Sequence, residues 1–292
     1  MDLPRIAGCA ALGVLAAGVG AAPQAAAAPH AAPRTAPQAA PLPACPKVFV
    51  HASTPKDWRK DQIRQPNTLK ALSYYRGLGA VGVEADVKLT KVTATGGGKA
   101  VMWHNKTTNG LTGPSRTFTD VHFSTGKDRV TGRRVARGPF KGSKVPTLRE
   151  WLDHARRIGT TPLIEIKPES GVFLVRKGND AASRKIRERA WKELADPIRE
   201  RHRKQPIMLY SHDPEIRAAL QARVRAGTFP NVTTYLRIAW PEDLKKHPWT
   251  EPPSDPRVHR ASWAKALKDP GNKGIATDYP KQLIAWLKGR CA

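Results

Sequence analysis

The sequence has few cysteines and few acidic residues, and it contains no internal repeat. Only three cysteines occur in 292 residues, and no group of cysteine and histidine residues has zinc-site spacing, which excludes a structural zinc module. No period of 20 to 50 residues is present, which excludes a solenoid. Acidic residues number 24 against 50 Lys and Arg, giving a formal net charge of +26. This charge favours anionic partners, such as nucleic acid, phospholipid surfaces or cell-wall polyanions, without choosing among them.

The first 44 residues lack the composition of a folded domain. Residues 1–28 contain one basic residue, Arg5, then an apolar run rich in Ala, Gly, Leu and Val, and then small residues. This pattern predicts a secretory signal peptide, and the glycines and Pro23 argue against a retained membrane span. Residues 29–44 are mostly Ala and Pro, which predicts a disordered linker. We therefore expect a secreted protein with a single folded domain at 45–292.

Two of the cysteines, Cys45 and Cys291, lie at opposite ends of this predicted domain. In an oxidising exterior such a pair is best interpreted as a disulfide that joins the two ends of the domain. Two free thiols are the alternative.

Strand-like segments alternate with helix-like segments from residue 47 to the C-terminus. The predicted strands are 47–51, 80–89, 93–105, 161–167, 206–211, 231–240, a weak one near 258–263, and 274–279. The main predicted helices are 67–79, 147–159, 181–203, 213–227 and 280–288, with Pro197 expected to kink or split the third. About eight βα units predict an α/β fold, a (β/α)8 TIM barrel. An open doubly wound sheet is the alternative.

One long segment, residues 105–145, does not fit the βα pattern. It contains six glycines, nine Lys or Arg residues and two acidic residues. Long segments without regular structure in compact domains are usually functional or disordered. We interpret this one as a basic insertion after the third strand, on the barrel rim, with a merely solvated loop as the alternative.

Polar residues that could carry chemistry fall at or near the ends of the predicted strands. They are His51, Glu84, Asp86, His104, Glu165, Lys167, Ser211, His212 and Asp278. In a parallel barrel the carboxyl ends of the strands converge on the active site. Crowded carboxylates repel each other unless a hard cation binds them, and oxygen ligands favour Mg²⁺ or Ca²⁺. Two histidines beside such a cation suit acid–base cleavage of a phosphodiester.

Taken singly, each of these residues also has an ordinary structural explanation. A histidine at a strand end is often structural, an E-x-D pair is often a solvated strand face, and IEIK could be a salt-bridged edge. Their joint placement at successive strand ends is what favours a catalytic site.

Several short motifs occur in an order that resembles one known family. The segments are VHA at 50–52, QPNTLKAL at 65–72, VEADVKLT at 83–90, VMWHN at 101–105, VPTLREWL at 145–152, LIEIKPE at 163–169, YSHDPEIRAAL at 210–220 and GIATDYP at 274–280. The sequence thereby resembles the glycerophosphodiester phosphodiesterases, of the phosphatidylinositol-phospholipase-C-like TIM-barrel superfamily. The resemblance spans about 48–288 and implies a phosphoric diester hydrolase.

The resemblance also implies roles for individual residues. His51 and His104 match the catalytic acid–base pair of the family. Glu84, Asp86 and Glu165 match its divalent-metal ligands. Lys167 matches a phosphate contact, and we assign His212 to substrate binding with it. The expected substrate is a small phosphodiester or a phospholipid headgroup, and the expected cofactor is Mg²⁺ or Ca²⁺.

The sequence departs from the family pattern beside the first histidine. The family has an arginine where this chain has Ala52, and an aspartate where it has Asn105. We interpret the chain as a divergent secreted member of bacterial type, in which Lys56, Arg59 or Lys60 could supply the missing charge.

Two other functions are compatible with the same residues. One is a phospholipase D or C acting on lysophospholipid, sphingomyelin or phosphoinositide. The other is a non-catalytic barrel that binds polyanions. For all three we expect a monomer, possible binding to an anionic membrane or cell-wall polymer, and no specific nucleic acid, because no nucleic-acid-binding motif is present.

Overall fold

A computed structural model describes residues 44–51, 67–201, 207–229, 232–233, 238–239, 259–269 and 274–291. The predicted signal peptide at 1–28 lies outside the described residues, as does all but the last residue of the predicted linker at 29–44. Ala52, Lys56, Arg59 and Lys60 lie outside them as well, so the candidates for the missing arginine stay predictions.

The described part of the chain contains eight strands and seven α-helices, which alternate except at β2–β3, α3–α4 and β6–β7. The strands are β1 (Lys47–Val50), β2 (Gly82–Leu89), β3 (Ala100–Met102), β4 (Thr161–Ile166), β5 (Ile207–Tyr210), β6 (Val232–Thr233), β7 (Ile238–Ala239) and β8 (Gly274–Thr277). The helices are α1 (Leu69–Gly77), α2 (Leu148–Arg157), α3 (Gly171–Leu174), α4 (Ala181–Arg201), α5 (Pro214–Arg225), α6 (Arg260–Lys268) and α7 (Pro280–Leu287).

Seven of the strands form a parallel sheet in the order β6-β5-β4-β2-β1-β8-β7. Asp86 of β2 lies opposite Glu165 of β4, and Val50 of β1 lies between Val83 of β2 and Thr277 of β8. No pairing joins β6 to β7 among the residues that the structure describes. The mixed α/β fold with a parallel sheet, predicted from the alternation of segments, is confirmed.

The third strand departs from the predicted parallel arrangement. β3 pairs with β2 in the antiparallel direction, with Met102 opposite Val87 and Ala100 opposite Leu89. The prediction that β3 is one of the parallel barrel strands is therefore wrong. The physical reason is the short Gly-rich turn at 96–98, which returns the chain directly beside β2, whereas a parallel crossover needs a dozen or more residues.

One further local prediction is wrong, and of the two outcomes expected for Pro197 a split helix is wrong, while a kinked one stays a prediction. The weak strand predicted near 258–263 is instead the start of α6, where Trp263 and Ala266 pack against β1, β8 and α7. Pro197 does not split α4, which runs unbroken from Ala181 to Arg201. Its neighbours Leu194 and Ile198 are fully buried, so tertiary packing compensates for the backbone hydrogen bond that proline cannot donate.

Local capping explains where two helices begin. Thr147 Oγ1 accepts from the Glu150 backbone N–H, and a Glu150 carboxylate oxygen accepts from the Thr147 backbone N–H, which is a capping box at α2. Asp213 caps α5 by accepting from the Ile216 backbone N–H at 2.9 Å, as its sequence position predicted. The caps define where each helix begins, directly after the segment 105–145 for α2 and after Ser211 and His212 for α5.

The predicted disulfide between Cys45 and Cys291 is present and joins residues 246 positions apart. Residues 105–145 are described in full and include one short 3-10 helix, Phe118–Asp120. That they form an insertion relative to the family stays a prediction. Among the described helices, none is both long enough and apolar enough to cross a membrane.

Candidate active site

The inner face of the sheet carries an apolar layer and, two residues further along the strands, a polar layer. The apolar layer is a buried cluster of Phe49, Leu163, Met208 and Ala276. Residues two apart on a strand face the same side, so the next inward positions are His51, Glu165, Tyr210 and Asp278. The apolar residues form the floor of the site, and the polar residues lie on it.

Two glycines leave room for the largest floor residue. A Cβ added at Gly82 would lie 2.3 Å from Cδ1 of Phe49, and one added at Gly274 would lie 2.4 Å from Cε2 of the same ring. The Phe49 ring therefore fills the space above both glycines. Glu84 follows Gly82 by two residues on the same face of β2. The contact between Gly82 and the Phe49 ring therefore helps to position the strand that carries Glu84.

Three buried carboxylates converge directly above the floor. Glu84 and Asp86 extend from the same face of β2, and Glu165 extends from β4 opposite Asp86. One carboxylate oxygen from each lies within 4.8 Å of the others. Their exposed fractions are only 3 to 6%. The structure therefore brings together all three residues that the sequence predicted as ligands.

The carboxylates are only partly neutralised by protein cations. Lys167 Nζ lies 3.0 Å from Glu165 Oε2 and 3.2 Å from Asp86 Oδ1. Burial alone would lower the pKa of Lys167, but the charges of Asp86 and Glu165 raise it above its ordinary value. Burial, and next the charge of Asp86, raises the pKa of Glu84 to about 8. Lys167 is thus a cation at neutral pH, whereas Glu84 is mostly protonated there when no cation is bound.

This arrangement fits a divalent cation. An all-oxygen set of three carboxylates on adjacent strands is the donor chemistry of Mg²⁺ and Ca²⁺. Burial, and next the charge of Asp86, favours the protonated form of Glu84, and a bound cation would favour its ionised form instead.

Two residues that the sequence-based prediction omitted complete the cluster. Asn67 is fully buried, donates from Nδ2 to Asp86 Oδ2 at 2.9 Å, and accepts from the Asp86 backbone N–H at 2.8 Å. Tyr210 OH donates to Glu84 Oε1 at 3.2 Å. Asn67 could have been found from the QPNT motif. Tyr210 could have been found because it precedes Ser211 at the end of a predicted strand.

His51 lies at the same level and contacts an acidic residue from the last strand. Its Nδ1 is 3.1 Å from Asp278 Oδ1, and Asp278 is 6% exposed. The backbone N–H of His51 donates to Thr277 O at 2.9 Å. The positive charge of a protonated His51 acts to lower the pKa of Glu84, so the two side chains lie within electrostatic range. Asp278, which the sequence placed at a strand end without a role, orients His51.

His104 and His212 have less complete surroundings among the contacts that the structure gives. His104 follows Trp103, whose backbone N–H donates to Asp86 O at 3.0 Å, so His104 lies beside the ligand strand. His104 Nδ1 is 3.3 Å from Asn105 Oδ1. His212 is exposed, and its ring meets Tyr210 edge-on at 5.6 Å. His212 thus contacts a partner of Glu84, whereas His104 is linked to the ligand strand only through the backbone of the residue before it.

A second ion pair joins the next position on the same face of β2 to the turn that follows β4. Lys88, two residues after Asp86, is 1% exposed, and its Nζ pairs with Glu169 Oε2. Burial is the largest influence on Lys88 and lowers its pKa. Ser170 Oγ accepts from the Leu89 backbone N–H at 3.1 Å, which ties the end of β2 to the turn after β4. The sequence-based prediction had assigned Lys88 no role.

Comparison with known proteins finds one matching family model. The model of the glycerophosphoryl diester phosphodiesterase family matches residues 56–282. This interval includes all of the predicted site residues except His51, Cys45 and Cys291. No curated protein sequence matches the chain significantly.

Solved structures of low sequence identity share the fold. A candidate glycerophosphoryl diester phosphodiesterase from Silicibacter pomeroyi is 19% identical, covers 85% of this chain and 95% of its own, and gives a TM-score of 0.53. A candidate from Galdieria sulphuraria is 15% identical, with 84% and 99% coverage and a TM-score of 0.52. A phosphodiesterase from Oleispira antarctica, in complex with its product sn-glycerol-3-phosphate, is 15% identical, with 84% and 97% coverage and a TM-score of 0.50.

Proposed function

Because this chain belongs to the glycerophosphoryl diester phosphodiesterase family, we propose that it hydrolyses a glycerophosphodiester at the carboxylate cluster, with a divalent cation bound there. One observation supports this most: three buried carboxylates lie within 4.8 Å of one another beside a lysine, with His51 on the adjacent strand. The product complex of the similar Oleispira antarctica enzyme supports a glycerol phosphate product for this chain as well.

Glu84, Asp86 and Glu165 would hold the cation, and Asn67 would fix the orientation of Asp86. When bound, the cation supplies positive charge to the phosphoryl oxygens. Lys167 holds two of the carboxylates in place and adds a second positive charge beside them. The hydrogen bond from Tyr210 OH to Glu84 Oε1 fixes the orientation of the Glu84 carboxylate.

His51 is the proposed general base. With its proton on Nδ1 and donated to Asp278, Nε2 is the nitrogen that accepts a proton. His51 takes a proton from the attacking water as the water oxygen bonds to phosphorus. The bond between phosphorus and the leaving alcohol oxygen breaks, and His104 gives that oxygen a proton. The products are a glycerol phosphate and an alcohol.

We also propose that the protein is secreted, with residues 1–28 removed. The signal-like N-terminal composition supports this location, and so does the Cys45–Cys291 disulfide, because disulfides persist in oxidising compartments. Fractionation of an expressing cell tests it: intact protein retained in the cytosol with both cysteines reduced would contradict secretion.

Product analysis of purified protein tests the reaction. Glycerophosphocholine is incubated with Mg²⁺ or Ca²⁺, and glycerol 3-phosphate and choline are measured. We expect turnover that chelation abolishes and that falls about 10²- to 10⁴-fold in His51→Ala and in His104→Ala. Release of products from lysophosphatidylcholine but not from glycerophosphocholine would favour a phospholipase instead. Equal, negligible release by wild type and His51→Ala would favour a binding protein.

A further inference from the structure

Residues 105–145, which we call the basic lobe, pack together with the end of β3 around one hydrophobic cluster. The cluster consists of Val101, Trp103, Leu111, Phe118, Val121, Val130, Val135 and Val145, and it is separate from the clusters that pack on the parallel sheet. The lobe is therefore a packed unit and not a loose loop, so the backbone positions that carry its surface cations are fixed.

One arginine of the lobe is structural. Arg133 is 7% exposed, and its guanidinium donates four hydrogen bonds within the lobe. The acceptors are Pro114 O at 2.6 Å, Thr108 Oγ1 at 2.9 Å, Arg129 O at 3.0 Å and Asp128 O at 3.1 Å. The other eight lysines and arginines of the lobe are exposed.

Among the contacts given for the described residues, few acidic groups pair with these exposed cations. Of the two acidic residues in the lobe, Asp128 pairs with Arg116 at 2.9 Å and Asp120 is exposed. Outside the lobe, Glu150 pairs with Lys144 at 2.5 Å. An antiparallel bridge places Arg134 opposite Lys144, and like charges directly opposite each other are destabilising. Binding of an anion between the two cations would offset this repulsion.

Both ends of the lobe are attached beside the carboxylate cluster. The lobe begins directly after His104, and Trp103 donates its backbone N–H to Asp86 O. At the other end, the Met102 backbone N–H donates to Pro146 O at 2.9 Å, and Thr147 bridges Val101. A long anion held on the lobe would therefore lie next to the site where a phosphodiester is cut.

The surface chemistry of the lobe narrows the class of partner. The large hydrophobic side chains that the described residues expose are Tyr74 and Val172, and neither belongs to the lobe. A membrane-inserting surface carries exposed apolar side chains, and a single-strand nucleic-acid surface carries aromatic side chains on which bases stack. The lobe offers cations without either feature, which fits a hydrated polyanion that lacks bases.

We propose that the basic lobe binds the uncut part of a polyol-phosphate chain, so that a phosphodiester polymer is a substrate of the adjacent site. This inference rests on the proposed function. The polymer presents repeated phosphates to the exposed cations, while one of its diester bonds lies over the carboxylate cluster. The lobe thus raises the local concentration of the polymer and contributes nothing to the cleavage of a small diester.

The test compares two substrates in the full-length protein. The value of kcat/KM is measured for poly(glycerol phosphate) and for glycerophosphocholine, with Arg134→Glu/Lys141→Glu as the variant. We expect the ratio of the polymer value to the small-diester value to fall about tenfold or more at low salt, and the loss to shrink as salt is added. An unchanged ratio overturns the proposal.

The matched control is Lys70→Glu/Lys185→Glu, which changes the net charge equally at exposed positions on α1 and α4. We expect it to shift the ratio less than threefold. If it lowers the ratio as much as the lobe variant does, overall charge and not the lobe attracts the polymer, and the proposal fails.

Binding of fluorescently labelled polymer, measured by anisotropy, separates the lobe from the proposed reaction. If the wild type cleaves neither substrate, the proposed function fails. The lobe is then judged by the polymer Kd, which is expected to rise about tenfold in Arg134→Glu/Lys141→Glu. Equal Kd values in wild type and variant overturn the lobe proposal. Tighter binding of single-stranded DNA or of phosphatidylglycerol vesicles than of the polymer overturns it as well.

Discussion

The carboxylate cluster and the basic lobe use charged side chains in opposite ways. In the cluster, acidic groups are buried, lie within 4.8 Å of one another, and contact Lys167, Asn67 and Tyr210. In the lobe, one buried arginine ties backbone carbonyls together, and the other cations face solvent. Only the cluster fixes each charge by direct contacts on several sides.

This difference determines how each region should respond to substitution. A buried charge with several partners cannot be replaced without leaving those partners unsatisfied. An exposed charge is screened by water and salt, so one exposed charge contributes little and only several together produce a strong field. Single changes should therefore be severe in the cluster and mild on the surface of the lobe.

The largest effect is expected for Asp86→Asn. Loss of a residue that merely orients a metal ligand typically costs 10- to 100-fold, so loss of the ligand itself should lower kcat/KM by more than about 100-fold. Asn67→Ala, which removes only the orienting contact, should fall within that 10- to 100-fold range. Activity with glycerophosphocholine is measured at saturating cation. An Asp86→Asn variant as active as Asp120→Asn, the exposed lobe control, would contradict the assignment.

Arg133→Met should have the largest effect within the lobe. It removes the donors to several carbonyls and leaves them unpaired, so we expect a local loss of about 3 kcal/mol. Hydrogen exchange should show faster exchange across 105–145 and unchanged protection in β2 and β4. A uniform loss of protection throughout the domain would show that the lobe is not a separate packing unit.

Gly82→Ala tests the floor beneath the cluster. The added methyl group would overlap the Phe49 ring, and overpacking of this kind costs about 1–3 kcal/mol. The melting temperature and the cation affinity should both fall, because a displacement of β2 at Gly82 also moves Glu84. Gly77→Ala is the matched control, since an added Cβ there meets nothing within 4 Å. Equal melting temperatures for the two variants would rule out the packing role of Gly82.

The pH dependence of cation binding follows from the raised pKa of Glu84, about 8 against an ordinary 4.5. Below about pH 8 the cation must displace a proton, so its affinity should rise with pH, by at most about tenfold per unit, and level off above 8. The ion-free fold should lose stability over the same rise, because the folded state holds the proton more tightly than the unfolded state does. Calorimetric titration with Ca²⁺ or Mg²⁺ measures this, and Glu84→Gln should flatten the curve.

The smallest effect is expected for Lys144→Ala. Its ion pair with Glu150 is exposed, and such pairs contribute about 0–1 kcal/mol. The capping box between Thr147 and Glu150 stays in place without it. The free energy of unfolding, measured with denaturant, should change by less than about 1 kcal/mol. A loss of several kcal/mol would mean that the surface charges of the lobe are as important for stability as those of the cluster.

Much of the site could be predicted from sequence because its residues alternate on strands. Glu84 and Asp86 are two apart, as are Glu165 and Lys167, and that spacing alone places each pair on one face. The position of Asp86 opposite Glu165 depends on strand order, which the motif order of the family supplied and the periodicity did not. The Cys45–Cys291 pairing could be predicted because only two cysteines remain outside the signal-like segment.

The features that the sequence did not predict depend on contacts between residues far apart in the chain or on competing local geometry. Asn67 and Tyr210 contact carboxylates 19 and 126 positions away. The QPNT motif and the strand end draw attention to these residues, but neither signal says which carboxylate each one contacts. The direction of β3 depends on a short glycine turn, whose hairpin geometry competes with the expected parallel crossover. For α6, Trp263 and Ala266 at helical spacing overrode a weak strand pattern.

The disulfide between Cys45 and Cys291 turns the folded domain into a nearly circular covalent chain. A protease that cuts once within the basic lobe would therefore release no fragment. The two pieces would migrate together on a gel until a reductant separated them. A nicked molecule could thus keep every strand of the site in place while its lobe was open.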